Sequence, residues 1–245
     1  MMSWKTHEGQ GTGGPRFAAV AGAMLILGGS LSSCEKKESP NSPPSVTQTA
    51  SVAIDASPAP GWAVMEALKP GHWEPIRSAA EVEWDDGSQL LRIGVGYYLN
   101  GVRWTGPLPT VPYEVELETQ RVSGSDFFCG LTFPARSETE CVSLIVGGWG
   151  GSLVGISSID GLDASENSTA SQMDFEDKRW YRIRVKVGKE RLQAWIDDRQ
   201  VVDVETTGKR LSLREGPIEE CAPFGVATWE TNAEVRGVRW RKLEN

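Results

Sequence analysis

The chain has 245 residues and a formal net charge of −8, from 33 acidic and 25 basic side chains. An acidic chain without a Lys- or Arg-rich run binds nucleic acid poorly. Nucleic-acid binding is therefore excluded as a function. The sequence contains no P-loop and no HExxH, CxxC or GxSxG motif. Phosphoryl transfer, redox and serine-hydrolase chemistry thus have no support.

Residues 1–33 are predicted to be a lipoprotein signal peptide. Lys5 and Arg16 precede an apolar run over 17–31 that is too short to span a bilayer. The run ends in Leu-Ser-Ser-Cys34, which resembles the bacterial lipobox. That resemblance implies cleavage before Cys34, acylation of this cysteine, and an exported lipoprotein anchored in a membrane, on its periplasmic or outer-membrane face. An ordinary cleaved signal peptide and an uncleaved apolar helix are the alternatives.

The composition then separates a tether from a folded domain. Residues 34–60 are rich in Ser, Pro, Ala and Thr and have no aromatic side chain, which predicts a disordered linker. Nine of the ten tryptophans lie in the remainder, 61–245, which is long enough for one domain with a sizeable core.

The domain is predicted to be all-β, because its apolar residues alternate with a period of two and Gly or Pro marks nearly every junction. In the segment 180–187, Ile183, Val185 and Val187 alternate with basic side chains. Many short strands between turns indicate a sandwich or barrel. The predicted strands are 90–95, 113–121, 127–133, 142–146, 180–187, 192–196, 201–204, 224–229 and 235–240, with a tight turn at 197–199.

The order of these strands resembles a known family. The motif Trp-Tyr-Arg-Ile-Arg-Val at 180–185, a hairpin ending near Val204, the segment 223–229 and a closing strand at 235–243 follow the pattern of the 3-keto-disaccharide hydrolase domain family. The similarity spans roughly residues 110–243. It implies the concanavalin A-like jelly-roll β-sandwich, and the segments 125–133, 147–151 and 160–167 resemble a planctomycete-type lipoprotein branch. The Glu that the family carries on the strand matching 141–147 is absent, so the resemblance favours the fold over the activity.

Three alternating carboxylates form the first candidate site. Glu114, Glu116 and Glu118 lie on one face of a predicted strand, about 7 Å apart in succession. Glycosidic cleavage uses paired carboxylates about 5–9.5 Å apart, and Glu118 is the candidate catalytic base because Arg121 and Asp126 follow it. The competing interpretation is a solvated outer face.

Aromatic side chains form the second candidate site. Four glycines flank Trp149 and favour an exposed indole, a suitable platform for the apolar face of a sugar ring. The alternative is a flexible turn with Trp149 folded over the edge of the core. Trp229, at a strand end, would extend a sugar-binding rim.

A loop rich in oxygen ligands forms the third. Asp160, Asp163, Glu166 and Asn167 lie within eight residues and are predicted to contact the carbohydrate. Such ligands also suit Ca²⁺, so Asp160 and Asp163 are candidate ligands of a structural calcium ion. Turns rich in Asp and Asn form without metal as well.

The cysteines agree with export. Cys129 and Cys141 are placed symmetrically about residue 135 in a predicted hairpin, so they would face each other across an antiparallel pair and could form a disulfide if that pair is a non-hydrogen-bonded one. Cys221 would remain unpaired.

These features together predict a jelly-roll domain that binds carbohydrate in a groove lined by Trp149, the 160–167 loop and Glu118. One alternative is an active 3-keto-glycoside hydrolase or lyase. The other is a structural or protein-interaction module of the cell envelope. Paired carboxylates in one pocket would favour the enzyme, and exposed aromatic side chains without them would favour a binding module.

Overall fold

The computed structural model describes residues 61–64, 71–77 and 80–244. The predicted signal peptide, Cys34 and the 34–60 linker lie outside the described residues. Within the described part, no helix has the length and apolarity needed to cross a membrane.

Two antiparallel sheets make up the described domain, which confirms the all-β prediction. The eight-stranded sheet contains β1 (Ala63–Val64), β3 (Val82–Asp85), β4 (Leu90–Ile93), β6 (Tyr113–Gly124), β11 (Tyr181–Val187), β12 (Arg191–Ile196), β13 (Arg199–Glu205) and β15 (Thr231–Lys242). The seven-stranded sheet contains β2 (Trp73–Pro75), β5 (Leu99–Trp104), β7 (Cys129–Ser137), β8 (Glu140–Gly147), β9 (Leu153–Ser157), β10 (Ser171–Gln172) and β14 (Gly225–Trp229). A left-handed turn, α1 (Gly148–Gly151), and a short 3-10 helix, η1 (Pro217–Cys221), complete the described elements.

The last two strands of the chain occupy interior positions in the two sheets. The eight-stranded sheet runs β13-β12-β11-β6-β15-β4-β3, with β1 paired to β15, and the seven-stranded sheet runs β10-β9-β8-β7-β14-β5-β2. In each sheet one of the last two strands, β14 or β15, therefore lies between strands that come much earlier in the chain.

The main core lies between the two sheets and follows from the alternation in the sequence. Ile183 and Val185 of β11 point inward and are fully buried, as are Phe133 of β7 and Leu144 of β8. Burial of such side chains contributes about 1.5–3 kcal/mol each.

A second, smaller apolar cluster covers the opposite face of the seven-stranded sheet. On β8, Val142, Leu144 and Val146 enter the main core, whereas Ser143 and Ile145 point to the outside. The outward cluster consists of Ile76, Leu99, Phe127, Ile145, Leu153, Ala164, Ile218, Cys221 and Ala227, with Trp229 packed against it. Ile218 and Cys221 of η1 and Ala164 of the loop after β9 belong to this cluster, so these two segments pack on the outer face of the sheet. They cover only part of that face, and the uncovered part lines a pocket.

The predicted disulfide is wrong because the hairpin turns later than predicted. Cys129 pairs with Val146 and Cys141 with Pro134 across β7 and β8, and residues 138–139 form the turn. Cys129 thus lies five positions, or about 17 Å, along the ladder from the level of Cys141. Both are free buried thiols, as is Cys221.

Candidate functional site

A pocket of about 310 Å³ opens on the outer face of the seven-stranded sheet. Strands β5, β8, β9 and β14, the α1 turn and the chain just before η1 all contribute to it. Its lining residues are Leu99, Asp126, Phe127, Ser143, Ile145, Trp149, Ser157, Asp163, Arg214, Glu215, Pro217, Ile218 and Trp229. Most of this lining is apolar, with charged groups at a few positions, which is the usual composition of a site for a small organic ligand.

Trp149 forms one wall of the pocket, and the residue is 45% exposed. Its backbone is left-handed (φ 49°, ψ 53°), a conformation that a bulky side chain rarely adopts. The neighbouring Gly150 is also left-handed, and its N–H donates to the carboxylate of Asp126 at 3.2 Å. That carboxylate also accepts from the N–H of Phe127 at 2.7 Å. Asp126 therefore holds the turn so that the indole stays at the mouth of the pocket.

Trp229, at the end of β14, lines the pocket and belongs to a row of aromatic rings. Its ring stacks on Tyr98 with a centroid distance of 5.4 Å and lies 6.4 Å from Phe127. Tyr97 then packs edge-on against Tyr98 at 4.4 Å. The hydrogen bond from the Tyr97 side chain raises the pKa of Tyr98 above its ordinary value, so the Tyr98 phenol is neutral at physiological pH.

The charged groups of the pocket are mainly acidic. Asp163 is paired with Arg214 at 2.8 Å, and it also accepts a hydrogen bond from the buried hydroxyl of Ser157 and one from the N–H of Ala164. The Arg214 guanidinium lies 5.8 Å from the centre of the Trp149 ring. With Asp126 and Glu215 the lining holds three carboxylates and one guanidinium, so the pocket disfavours anionic ligands.

The 160–167 loop contributes one side chain to this lining, Asp163. The Asn167 amide donates to the carbonyl groups of Ile156 and Asp163, at 2.7 and 2.8 Å, and so holds the loop against β9. Glu166 accepts from the N–H of Asp163 at 3.3 Å. Asp160 accepts from the N–H of Arg210 at 2.8 Å, which holds the pKa of this carboxyl below its usual value.

The predicted calcium site lacks the necessary convergence of ligands. The carboxylate of Asp160 faces Arg210 and Lys209, whereas that of Asp163 faces Arg214 and Ser157. In the part of the chain that the structure describes, no three Asp, Glu, His or Cys side chains are grouped to hold a metal ion. The loop is instead closed by hydrogen bonds within the protein, as turns rich in Asp and Asn often are.

The acidic strip of β6 lies away from the pocket, which corrects the predicted groove. Because Val115 and Leu117 enter the core, Glu114, Glu116 and Glu118 point to the outer face of the eight-stranded sheet. Each is paired with arginine: Glu114 with Arg184 and Arg241, Glu116 with Arg239, and Glu118 with Arg236 at 2.7 Å. A base at Glu118 would be on the wrong side of the sandwich to act on a ligand in the pocket.

Sequence reasoning placed Trp149, Asp163 and Trp229 among the site residues, and the structure brings these three into one pocket. It missed Tyr97, Tyr98, Arg214 and Glu215. The adjacent tyrosines, flanked by Gly96, were the available signal for the exposed rings. Arg214 lies in a connection with no strand pattern and gave none.

The architecture matches solved carbohydrate-active folds. The Crh5 transglycosylase aligns with a TM-score of 0.50 and 9% identity, over 74% of this chain and 82% of that one. The chain is a jelly-roll β-sandwich. Carbohydrate-binding module CBM66 from Bacillus subtilis aligns with a TM-score of 0.46 and 13% identity, over 69% of this chain and 95% of the module. An endo-acting O-glycanase of the human gut microbiota aligns at 0.47 and 12%, over 74% and 95%.

No protein-family model matches the sequence, and no curated protein matches it. The likeness to solved structures thus extends to the jelly-roll fold. The 3-keto-disaccharide hydrolase family in particular receives no support from these comparisons.

Proposed function

We propose that this domain binds carbohydrate in the pocket on the outer face of the seven-stranded sheet. The observation that carries the proposal is the half-exposed indole of Trp149, held at the pocket mouth by a left-handed turn. A pyranose ring has an apolar C–H face that packs on an indole, while its hydroxyl groups need polar partners. Asp163, Arg214 and Asp126 supply those partners around the same cavity.

The charge of the pocket narrows the class of sugar. Three carboxylates and one guanidinium line it, and that guanidinium is already paired with Asp163. A uronic acid would add a further negative charge beside Asp126 and Glu215, whereas a neutral or amino sugar would not. Neutral or amino sugars are therefore the proposed ligands.

Isothermal titration calorimetry against neutral, amino and acidic oligosaccharides tests this function. Trp149→Ala is expected to weaken binding about 30-fold, because truncating a central aromatic anchor costs ~2 kcal/mol. Trp195→Ala is the matched control, since that indole packs 4.0 Å from the Arg184 guanidinium on the other sheet. Absence of binding to all three classes, or equal losses in the two variants, would overturn the proposal.

A second candidate function, a 3-keto-glycoside hydrolase or lyase, is favoured by one observation: Asp126 and Asp163 line the same pocket. A 3-keto group acidifies the proton at C2, so a carboxylate base there could drive elimination of the glycosidic bond. Release of monosaccharide from a 3-keto-disaccharide, lost in Asp126→Asn or Asp163→Asn and retained in Glu118→Gln, would establish it. No release by the folded protein would leave the binding function alone.

We also propose that Cys34 anchors the domain to a membrane. The support is the apolar run and the lipobox-like Leu-Ser-Ser-Cys34 in the sequence. Incorporation of labelled palmitate that disappears in Cys34→Ser would agree with it. Release of the unmodified protein into the soluble fraction would contradict it.

A further inference from the structure

Two tyrosines extend the aromatic surface of the pocket beyond its rim. Tyr97 is 84% exposed and Tyr98 is 47% exposed, in the loop between β4 and β5. Tyr98 lies nearly parallel to Trp229, with an angle of 25° between the rings, and Trp229 lines the pocket. We name the three rings of Tyr97, Tyr98 and Trp229 the aromatic shelf.

The shelf is held in place by a buried side chain. Asn100 is fully buried, and its amide donates to the carbonyl groups of Gly94 and Glu81 at 2.8 and 3.0 Å. Its carbonyl oxygen accepts from the N–H of Ala80 at 3.2 Å. One side chain thus ties the start of the 94–98 loop to the strand that follows it.

A backbone hydrogen bond joins the shelf to the pocket strand. The N–H of Glu230 donates to the carbonyl of Tyr98 at 2.9 Å, next to Trp229 at the end of β14. The backbone that carries Tyr98 is therefore held beside the pocket strand before any ligand arrives, which lowers the entropy cost of binding.

The exposed surfaces of these rings do not contribute to the packing of the domain. Scattered apolar side chains are ordinary on a protein surface, but a contiguous exposed patch that continues a pocket is typical of an interaction site. The phenol groups are amphipathic: each ring offers an apolar face and a hydroxyl that both donates and accepts. A chain of neutral sugars presents the matching pattern, with apolar ring faces and hydroxyl rims.

We infer that the aromatic shelf is a second sugar subsite, so that the ligand is an oligosaccharide that continues out of the pocket over Trp229 and Tyr98. The inference rests on the proposed carbohydrate function and specifies its ligand class. The pocket, at about 310 Å³, lies at the small end of ligand sites. It holds one end of the chain, and the shelf supports the sugars that follow.

The test compares chain lengths within three named series: glucose to cellopentaose, N-acetylglucosamine to chitopentaose, and xylose to xylopentaose. The dissociation constant of the full-length protein is measured by calorimetry for the monosaccharide and the pentasaccharide of each series that binds. We expect the pentasaccharide to bind at least about tenfold more tightly, the equivalent of one added aromatic contact.

The variants separate the shelf from the pocket. Tyr98→Ala is expected to weaken the pentasaccharide about tenfold more than the monosaccharide, whereas Tyr98→Phe, which keeps the ring, retains most of the length-dependent gain. Trp149→Ala should weaken both ligands. Because a longer chain also binds in more registers, the comparison between variants, which share that statistical gain, decides the result.

Each outcome has a distinct meaning. If monosaccharides bind as tightly as pentasaccharides, or if Tyr98→Ala weakens both alike, the shelf is not a subsite while the proposed function stands. If no sugar of any series binds, the proposed function fails and the shelf assignment fails with it. Loss of the length dependence in Tyr97→Ala as well would extend the subsite to the outermost ring.

Discussion

Glu114 and Glu118 belong to one strip of carboxylates, yet we expect their removal to have very different effects on stability. The Glu114 side chain is 2% exposed and accepts from Arg184 at 3.0 Å and from Arg241 at 2.8 Å. The Glu118 side chain is 28% exposed and has Arg236 as its ion-pair partner. The same chemical group thus occurs once nearly buried between two arginines and once near the surface.

The magnitudes follow from that difference in burial. Removing one partner of a buried ion pair typically costs ~3–5 kcal/mol. Arg184 and Arg241 are themselves 32% and 36% exposed and can regain water, which reduces the expected cost of Glu114→Ala to about 2–3 kcal/mol. An exposed pair contributes ~0–1 kcal/mol, so Glu118→Ala should cost less than about 1 kcal/mol.

Equilibrium unfolding in urea, followed by tryptophan fluorescence, measures both free energies. Sugar binding measured on the same variants should be unchanged, because the strip lies on the sheet opposite the pocket. Equal losses of stability in the two variants would refute the reasoning from burial. Loss of binding in Glu118→Ala without loss of stability would refute the placement of the site.

Two further predictions concern the packing of the sheets. Gly225→Ala should cost ~1–3 kcal/mol, because a Cβ there would lie 2.5 Å from the Val102 carbonyl oxygen, whereas Gly71→Ala, with no atom within 4 Å of its Cβ, should be neutral; urea midpoints compare the two. Burial raises the pKa of Cys129 to about 12 and of Cys141 to about 11, which disfavours the thiolate in the folded state. The stability that these thiols contribute is complete below the ordinary thiol pKa of about 8.5 and is lost as the pH rises towards 11. The urea midpoint of the unchanged protein should therefore fall between about pH 9 and 11, and that of Cys129→Ala should fall less. An identical fall in the two proteins would show that the Cys129 thiol does not contribute to the pH dependence.

The strands were predictable because their signal is local. A period of two in a segment such as 180–187 depends on which face of one strand is buried, and the structure confirms that alternation for Ile183 and Val185. The choice of partner strand is not local. The arginines that cover the β6 carboxylates come from β11 and β15, and the register of β15 shifts between Arg236 and Arg239, next to the left-handed Gly237. No pattern in the sequence indicates such a shift.

The site was predictable only in part, for the same reason. Trp149 could be identified because the glycines on both sides of it predict an exposed side chain. Arg214 lies in a long connection whose apolar residues show no alternation, so the sequence does not predict its position. Its place beside Trp149 depends on how that connection folds over the outer face of the sheet. The disulfide prediction failed because the position of a hairpin turn was inferred from symmetry alone, and a shift of the turn moves every cross-strand pair.

The position of the last two strands has a consequence for the order in which the molecule can form. A chain synthesised from its N-terminus delivers β14 and β15 after the other strands, yet β14 lies between β7 and β5, and β15 lies between β6 and β4. Until β14 and β15 are available, each sheet lacks an interior strand, and the strands on either side of the gap are not joined to each other. Neither sheet can therefore be completed before Gly225 and the residues that follow it are available, so the long-range pairings of β14 and β15 come after the local hairpins.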